Sequence, residues 1–210
     1  MHYALVMIGA HDGSKNLPAI VEASRDGKVL LVEPVPFLFQ RLRKNVAQVP
    51  NVILANICIS TVDGMVEFTA PKEASSTLGV GFDQIGSLSP KHATNHHFAM
   101  ADHVEPILAE SMTFASLVRE YDITSLEMLL TDMEGFDCEL LPGFPFARVL
   151  PNTIVFEFRH SDGTFRVGRK LARLLTDLDD LGYDIKVRDI ENMIATLRTK
   201  DATAGVDPPP

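Results

Sequence analysis

The sequence predicts an α/β fold in which a mostly parallel sheet carries helices on both faces. Apolar, strand-like runs alternate with helix-like segments along most of the chain. Two of these runs end in glycine and carboxylate residues, at Gly9–Gly13 and at Asp132–Gly135. In a parallel sheet such strand ends lie side by side at one edge, where ligands bind. A hairpin pattern near the C-terminus adds antiparallel strands to the prediction.

Hydrophobic patterning predicts the elements of the first part of the chain. Continuous apolar runs are typical of strands buried on both faces, and apolar residues repeated every three or four positions are typical of amphipathic helices. In chain order the predictions are a strand over Tyr3–Ile8, a helix over Asn16–Arg25 that stops at Gly27, a strand over Lys28–Val32, a helix over Pro36–Val49 and a strand over Asn51–Ile59.

The pattern becomes irregular after this third strand. Asp63 and Gly64 form a hairpin-turn signal, and Met65–Thr69 is predicted to return as a strand. From Ala70 to Glu110, glycine, serine, proline and histidine are frequent and no period is visible. Because a segment of this length within a compact domain is usually functional or mobile, we interpret residues 70–112 as a lid or insertion.

Regular alternation resumes in the rest of the chain. In order, the predictions are a helix over Thr113–Tyr121, a strand over Leu126–Thr131, a short helix over Cys138–Leu141, a strand over Thr153–Phe158, a helix over Arg166–Leu181 and two closing strands over Tyr183–Val187 and Met193–Leu197. We therefore expect one domain over residues 1–198. Residues 199–210 end in three prolines and are expected to form a disordered tail.

Composition argues against several classes of protein. The 19 basic and 28 acidic residues give a net charge of −9, which disfavours a nucleic-acid partner because phosphate binding depends on clustered Lys and Arg. Cys58 and Cys138 are the two cysteines, so we expect no disulfide framework and a reducing, cytoplasmic compartment. No apolar run approaches the roughly 20 residues of a membrane span, and the first run is too short for a signal peptide.

Two features of the first half suggest a ligand that carries adenosine. In the first turn, Gly9 and Gly13 allow the backbone to approach a ligand, and the helix that follows offers free N–H groups. Asp12 lies between them, and the spacing differs from the Gly-x-Gly-x-x-Gly of dinucleotide enzymes. Glu33 ends the second strand, where a carboxylate typically binds a ribose diol. The structural alternative for the first turn is a tight turn in which Asp12 acts as a cap. The alternative for Glu33 is an exposed carboxylate at a strand end.

Acidic residues also follow the later strands. Asp132 and Glu134 end the strand over Leu126–Thr131, and Glu157 and His160 lie at the end of the next. Carboxylates in this position could hold an ammonium group, orient an acceptor hydroxyl or act as a base. Together with the histidine they could also bind a metal ion. Ordinary salt bridges at strand ends are the alternative.

The irregular segment contains four of the seven histidines, namely His92, His96, His97 and His103. A zinc site is conceivable, but no cysteine accompanies these residues and their spacing matches no standard zinc finger. We therefore favour a polar lid in which the histidines of residues 92–103 are incidental.

Three stretches of the chain resemble a known family. They are Val6–Gly13, Leu30–Pro34 with Pro36 and Leu42–Asn45, and Leu129–Gly143. The last contains Asp132-Met133-Glu134-Gly135 and then Leu140-Leu141-Pro142-Gly143, and it is similar to the Asp-x-Glu-Gly and Leu-x-Gly segments of the FkbM-type methyltransferases, which use S-adenosylmethionine. The resemblance extends from about residue 6 to about residue 160.

This resemblance implies a class I methyltransferase fold with a Rossmann-like, seven-stranded sheet and one antiparallel strand. It also implies O-methylation of a hydroxyl on a sugar or a secondary-metabolite-like small molecule. The implied cofactor contacts are Gly9, Ala10 and Gly13 along the methionine and ribose, Asp12 near the sulfonium or amino group, Glu33 and the adjoining Pro34 at the ribose, Asn56 and Ile57 at the adenine, and Asp132 beside the donor methyl. Because an acceptor hydroxyl must lose its proton during the transfer, we expect Asp132 or Glu134 to act as the base, with His160 third.

Some alternatives remain open at this point. The chain could instead methylate nitrogen, bind another adenosine cofactor such as NAD, or act as a metal-binding or assembly protein through its histidine segment. A divalent metal is compatible with the acids but not required by them, and a homo-oligomer is compatible with the sequence. Because the first strand starts close to the N-terminus, we expect the acceptor lid to come from residues 70–112 or from a partner chain. Ser87-Leu88-Ser89 is only a loose counterpart of the family's serine-containing loop.

Overall fold

The computed structural model describes residues 1–78, 82–96 and 98–199. The strands are β1 (His2–Ile8), β2 (Lys28–Val32), β3 (Val52–Ala55), β4 (Cys58–Ile59), β5 (Gly64–Pro71), β6 (Val104–Met112), β7 (Ser125–Thr131), β8 (Thr153–Glu157), β9 (Tyr183–Val187) and β10 (Asn192–Leu197). The α-helices are α1 (Leu17–Asp26), α2 (Pro36–Asn45), α3 (His92–His96), α4 (Phe114–Glu120), α5 (Asp137–Leu140) and α6 (Arg169–Asp180).

Seven strands form the main sheet, in the order β3-β2-β1-β7-β8-β10-β9. The pairings between β1, β2, β3, β7 and β8 are parallel, whereas β10 is antiparallel to both β8 and β9. The sheet therefore confirms the predicted fold class, with one antiparallel strand contributed by the C-terminal hairpin. Because β1 lies at the centre, its side chains from Tyr3 to Ile8 are buried on both faces, which explains the continuous apolar sequence of this part.

Helices cover both faces of the main sheet, as predicted. On one face Ile20 of α1 and Leu42 of α2 pack with Met7 of β1 in one apolar cluster. On the other face Leu117 of α4 and Leu174 of α6 belong to the largest cluster of buried apolar residues. Helix α2 ends at Asn45, which is earlier than the sequence pattern predicts, because the chain turns away after Val46.

A second, three-stranded sheet in the order β4-β6-β5 was not predicted. Strand β5 pairs antiparallel with β6 from Gly64 opposite Ser111 to Pro71 opposite Val104. The predicted hairpin at Asp63 is therefore wrong, because β5 does not return along the preceding strand. The predicted irregularity of residues 70–110 is also wrong over β6, where Pro106 and the two glutamates Glu105 and Glu110 hide the strand pattern.

The predicted third strand over Asn51–Ile59 is divided between the two sheets. Only Val52–Ala55 joins the main sheet, beside β2, and Cys58 and Ile59 pair with β6 in the second sheet. Between them the side-chain amide of Asn56 donates hydrogen bonds to the carbonyl oxygens of Glu33 (2.7 Å) and Pro34 (3.1 Å). These bonds hold the end of β2 at the point where the chain changes sheets.

Two of the predictions lie outside the described residues. They concern His97, in the histidine segment, and the tail of the chain beyond residue 199.

Candidate functional site

A cavity of about 540 Å³ opens where β1, β2, β7 and β8 end. Gly9 after β1, Glu33 after β2 and Asp132 after β7 all line it. The three residues on which the sequence argument depends therefore surround one space. The other predicted site residues that line the cavity are Ala10, Asp12, Gly13, Pro34, Ile57, Glu134 and His160.

Asn56 is the predicted cofactor residue that the structure places elsewhere. Its side chain is exposed and is occupied by the carbonyl oxygens at the end of β2, and it is not among the residues that line the cavity. The adjacent Ile57 is buried and does line it. At this edge Asn56 therefore supports the cavity wall, while Ile57 offers it an apolar surface.

Gly9 brings the ends of the two central strands together. Its φ is +77°, and a Cβ at this position would overlap the backbone oxygen of Asp132. The amide of Asp132 in turn donates to the carbonyl oxygen of Ile8 at 3.0 Å. Glycine is thus required here by a close approach of backbone to backbone, which places Asp132 directly beside the first turn.

The rest of the first turn is fixed by local contacts. Gly13 has a φ of +73°, and an added Cβ would lie 2.6 Å from Cδ1 of Leu42, so its role includes close packing against α2. Asp12 accepts hydrogen bonds from the amide (2.9 Å) and the hydroxyl (2.6 Å) of Ser14. Burial opposes ionisation of Asp12, but these hydrogen bonds outweigh it and lower its pKa. The turn therefore presents an anionic group near the cavity.

Glu33 is held by two backbone amides. Its Oε2 accepts from the amide of His11 and its Oε1 from the amide of Val35, both at 2.8 Å. The side chain is 4% exposed, and burial raises its pKa to about 7 in spite of these bonds. Each carboxylate oxygen has a second lone pair, so Glu33 is oriented rigidly and can still accept hydrogen bonds from a ligand in the cavity.

The segment after β7 forms a tight, left-handed turn. Glu134 has a φ of +48° and Gly135 a φ of +93°, and for a residue with a side chain such a conformation costs free energy. The amide of Met133 donates to Oδ2 of Asp137 (2.9 Å), and the amide of Gly135 donates to Oε2 of Glu157 (3.3 Å). Two buried acids thus hold the turn that carries Glu134 into the cavity wall.

Four carboxyl groups crowd around this turn, and all of them have raised pKa values. Burial is the main cause for each, and the negative charges of the neighbouring acids add to it. The pKa of Asp137 rises to about 7 and that of Glu157 to about 9. Asp132 is exposed and lines the cavity. The surrounding protein still raises its pKa by removing water, while the charge of Lys15 acts in the opposite direction.

Two buried histidines pair with two of these acids. Nε2 of His92 lies 2.9 Å from Oε2 of Glu134, and Nε2 of His160 lies 3.3 Å from Oε1 of Glu157. The two imidazole rings meet edge to face, with centroids 5.1 Å apart. The prediction that His92 is incidental is wrong, and no sequence motif indicates that a residue of the irregular segment contacts the turn after β7.

Glu134, Glu157 and His160 are also candidate metal ligands. Ligand atoms of Glu134, Glu157 and His160 lie within 4.8 Å of one another, which is a spacing that a divalent cation could bridge. However, Nδ1 of His160 accepts a hydrogen bond from the amide of Phe165 at 2.7 Å. The neutral ring must therefore carry its proton on Nε2, and that nitrogen has no lone pair for a metal. In this arrangement the donor set does not fit a metal ion.

Comparisons with known proteins identify a family. A family model described as "Methyltransferase FkbM domain" matches residues 8–197. No curated protein matches the sequence.

Among the described residues, no helix is both long enough and apolar enough to cross a membrane.

Three solved structures with a similar fold are distant in sequence. A precorrin-6y methyltransferase from Geobacter metallireducens is 14% identical, with 94% of this chain and 81% of that chain covered and a TM-score of 0.47. Fibrillarin from Aeropyrum pernix, solved with natively bound S-adenosyl-L-methionine, is 14% identical, with 92% and 66% covered and a TM-score of 0.44. A methyltransferase from Pyrococcus furiosus is 12% identical, with 93% and 75% covered and a TM-score of 0.40.

Proposed function

The chain belongs to the FkbM methyltransferase domain family, and on that premise we propose that its cavity binds S-adenosylmethionine and that the enzyme methylates a hydroxyl oxygen of a small molecule. The observation that carries this proposal is that Gly9, Glu33 and Asp132, from the ends of three parallel strands, line one cavity. A site at the carboxyl ends of parallel strands is where open α/β sheets bind nucleosides.

Each strand end offers a group that suits part of the cofactor. Glu33 would accept hydrogen bonds from the ribose hydroxyls, since both of its oxygens are fixed and each retains a lone pair. Pro34 and Ile57 provide a surface for the adenine beside it. Asp132 and Asp12 supply negative charge for the sulfonium and the amino group, and Gly9 allows the methionine part to approach the backbone.

Methyl transfer itself requires alignment, exclusion of water and removal of one proton. The acceptor oxygen forms a bond to the methyl carbon, the bond from carbon to sulfur breaks, and the electron pair stays on sulfur as a thioether. The hydroxyl proton passes to a base. We propose Asp132 or Glu134 for this role, because both carboxyl groups line the cavity. His160 is the weaker choice, since its Nδ1 already accepts a hydrogen bond from Phe165.

The charge and size of the site support a small acceptor. The cavity volume of about 540 Å³ lies within the range of small-molecule sites. The acids that line it, together with the net charge of −9, disfavour a polyanionic nucleic acid. We therefore propose a sugar-like or secondary-metabolite-like acceptor.

We also propose a reducing, cytoplasmic compartment, which is consistent with the two free, buried thiols at Cys58 and Cys138.

Calorimetry with S-adenosylmethionine tests the cofactor site. Wild-type protein is expected to bind, and Glu33→Ala is expected to bind about 10- to 100-fold more weakly, because hydrogen bonds to a charged group contribute about 1.5–3 kcal/mol. Glu22→Ala is the matched control, since Glu22 is exposed on α1 and pairs with Arg25 at the surface. Absence of binding by folded wild-type protein, or equal binding by Glu33→Ala, would contradict the proposal.

A further inference from the structure

His92 connects the irregular segment to the turn after β7. It lies on α3, is 3% exposed, and places Nε2 at 2.9 Å from Oε2 of Glu134. The hydroxyl of Ser87, from the same segment, donates to the backbone oxygen of Glu134 at 3.1 Å. One segment therefore holds both the carboxylate and the backbone of Glu134, which shows a built contact rather than an incidental one.

The hydrogen bonds of the His92 ring define which nitrogen carries the proton. Glu134 can act as a base only when it is ionised, and an ionised carboxylate only accepts hydrogen bonds, so in that form Nε2 of His92 is the donor to Glu134. Nδ1 lies 3.3 Å from the hydroxyl oxygen of Thr164, which can donate to it. Both ring nitrogens thus have a polar partner, and the imidazole is held between α3 and the loop that follows β8.

The surroundings of Glu134 disfavour its ionised form and raise its pKa even with His92 in contact. Carboxyl groups whose ionised forms oppose that of Glu134 face it from the end of β7, from α5, from the end of β8 and from the turn before β10; the residues are Asp132, Asp137, Glu157 and Glu191. The neighbouring His160 ring is turned toward Glu157. The hydrogen bond from His92 is therefore a contact that selectively favours the carboxylate over the carboxylic acid at position 134.

We infer that His92 is a positioning residue for methyl transfer, whose Nε2–H orients the ionised Glu134 carboxylate at the wall of the cofactor cavity. The inference rests on the proposed function, because it assigns Glu134 to the transfer step. In that step the acceptor hydroxyl gives its proton to Glu134 while the methyl carbon moves from sulfur to the acceptor oxygen. His92 does not touch the reacting atoms and acts through Glu134.

Two commercial probes test this role without a known acceptor. S-Adenosylhomocysteine lacks the transferable methyl group, and sinefungin carries an amine, which is cationic when protonated, close to its position. We expect His92→Leu to weaken sinefungin about tenfold, the size of a lost hydrogen bond to a charged group, and to leave S-adenosylhomocysteine within about twofold. His92→Gln, which can still donate to Glu134, is expected to restore sinefungin binding. His103→Leu is the control, because His103 pairs with Ser75 instead of a carboxylate.

The outcomes separate the inference from the function on which it rests. If wild-type protein binds neither probe, the proposed function fails. If S-adenosylhomocysteine binds but His92→Leu leaves the preference for sinefungin unchanged, the inference about His92 is overturned. A double variant with His92→Leu and Glu134→Gln should lose no more affinity for sinefungin than either single variant. Additive losses of affinity would show that His92 does not act through Glu134.

A second measurement covers the case in which His92→Leu does not fold. In protein labelled with ¹⁵N-histidine, the His92 ring is expected to show a proton on Nε2 whose signal moves in Glu134→Gln and not in Glu139→Gln, a residue that pairs with Lys170. A proton on Nδ1 alone, or a His92 signal that does not respond to Glu134→Gln, would overturn the inference.

Discussion

Replacing Gly9 by alanine tests the contact that assembles the site. The left-handed backbone at Gly9 would cost an alanine about 1 kcal/mol. The new methyl group would also overlap the backbone oxygen of Asp132, so the ends of β1 and β7 would have to separate. Their separation strains the hydrogen bonds from Asp132 to Ile8 and from Gly9 to Val32, each 3.0 Å long and each contributing about 1 kcal/mol.

These contributions predict a loss of about 3 kcal/mol in the free energy of unfolding of Gly9→Ala, together with weaker binding of S-adenosylmethionine because Asp132 moves. Urea denaturation measures the first effect and calorimetry the second. Gly143→Ala is the matched control, because a Cβ at Gly143 meets no atom within 4 Å, and its expected change is within about 0.5 kcal/mol. A loss below about 1 kcal/mol for Gly9→Ala would refute the reasoning.

Two further predictions concern ionisation. The pKa of Glu157 is raised from 4.5 to about 9 in the folded protein. The folded state therefore keeps a proton that the unfolded state releases above about pH 4.5. As a result, the free energy of unfolding falls as the pH rises from about 4.5 to about 9. Glu157→Gln should remove this decrease of the free energy of unfolding with pH, which is at most ~1.4 kcal/mol per pH unit. Denaturation curves measured at pH values from 5 to 9 give the free energy for both proteins, and an equal pH dependence in the two would contradict the prediction. Burial raises the pKa of both Cys58 and Cys138 to about 12, so a thiol reagent should label them only as the protein unfolds, and rapid labelling of native protein would count against the structure.

The main sheet could be predicted because its strands are continuous apolar runs with clear turn signals between them. The second sheet could not, since Pro106 and the charged residues of β6 interrupt any period of two. The division of the third strand was also hidden, because Ala55 and Cys58 belong to one apolar stretch of sequence and only the hydrogen bonds of Asn56 mark the change of sheet.

The site was predictable to the extent that it is built from strand ends. Gly9, Glu33 and Asp132 follow parallel strands, and topology alone brings such positions together. The contact between His92 and Glu134 is of a different kind, because it depends on the path of an irregular segment. Nothing in the spacing of the histidines indicates that His92, rather than His103, reaches the cavity wall.

The smaller sheet has a hydrophobic core of its own. Phe68 and Ala109 pack there with Val35 and Leu38 beside the start of α2, apart from the two clusters that flank the main sheet. Phe68 and Leu38 of this smaller cluster also line the cavity. Since fewer buried apolar residues hold β5 and β6 than hold β1 and β7, we expect the amides of β5 and β6 to exchange with solvent sooner than those of the central strands.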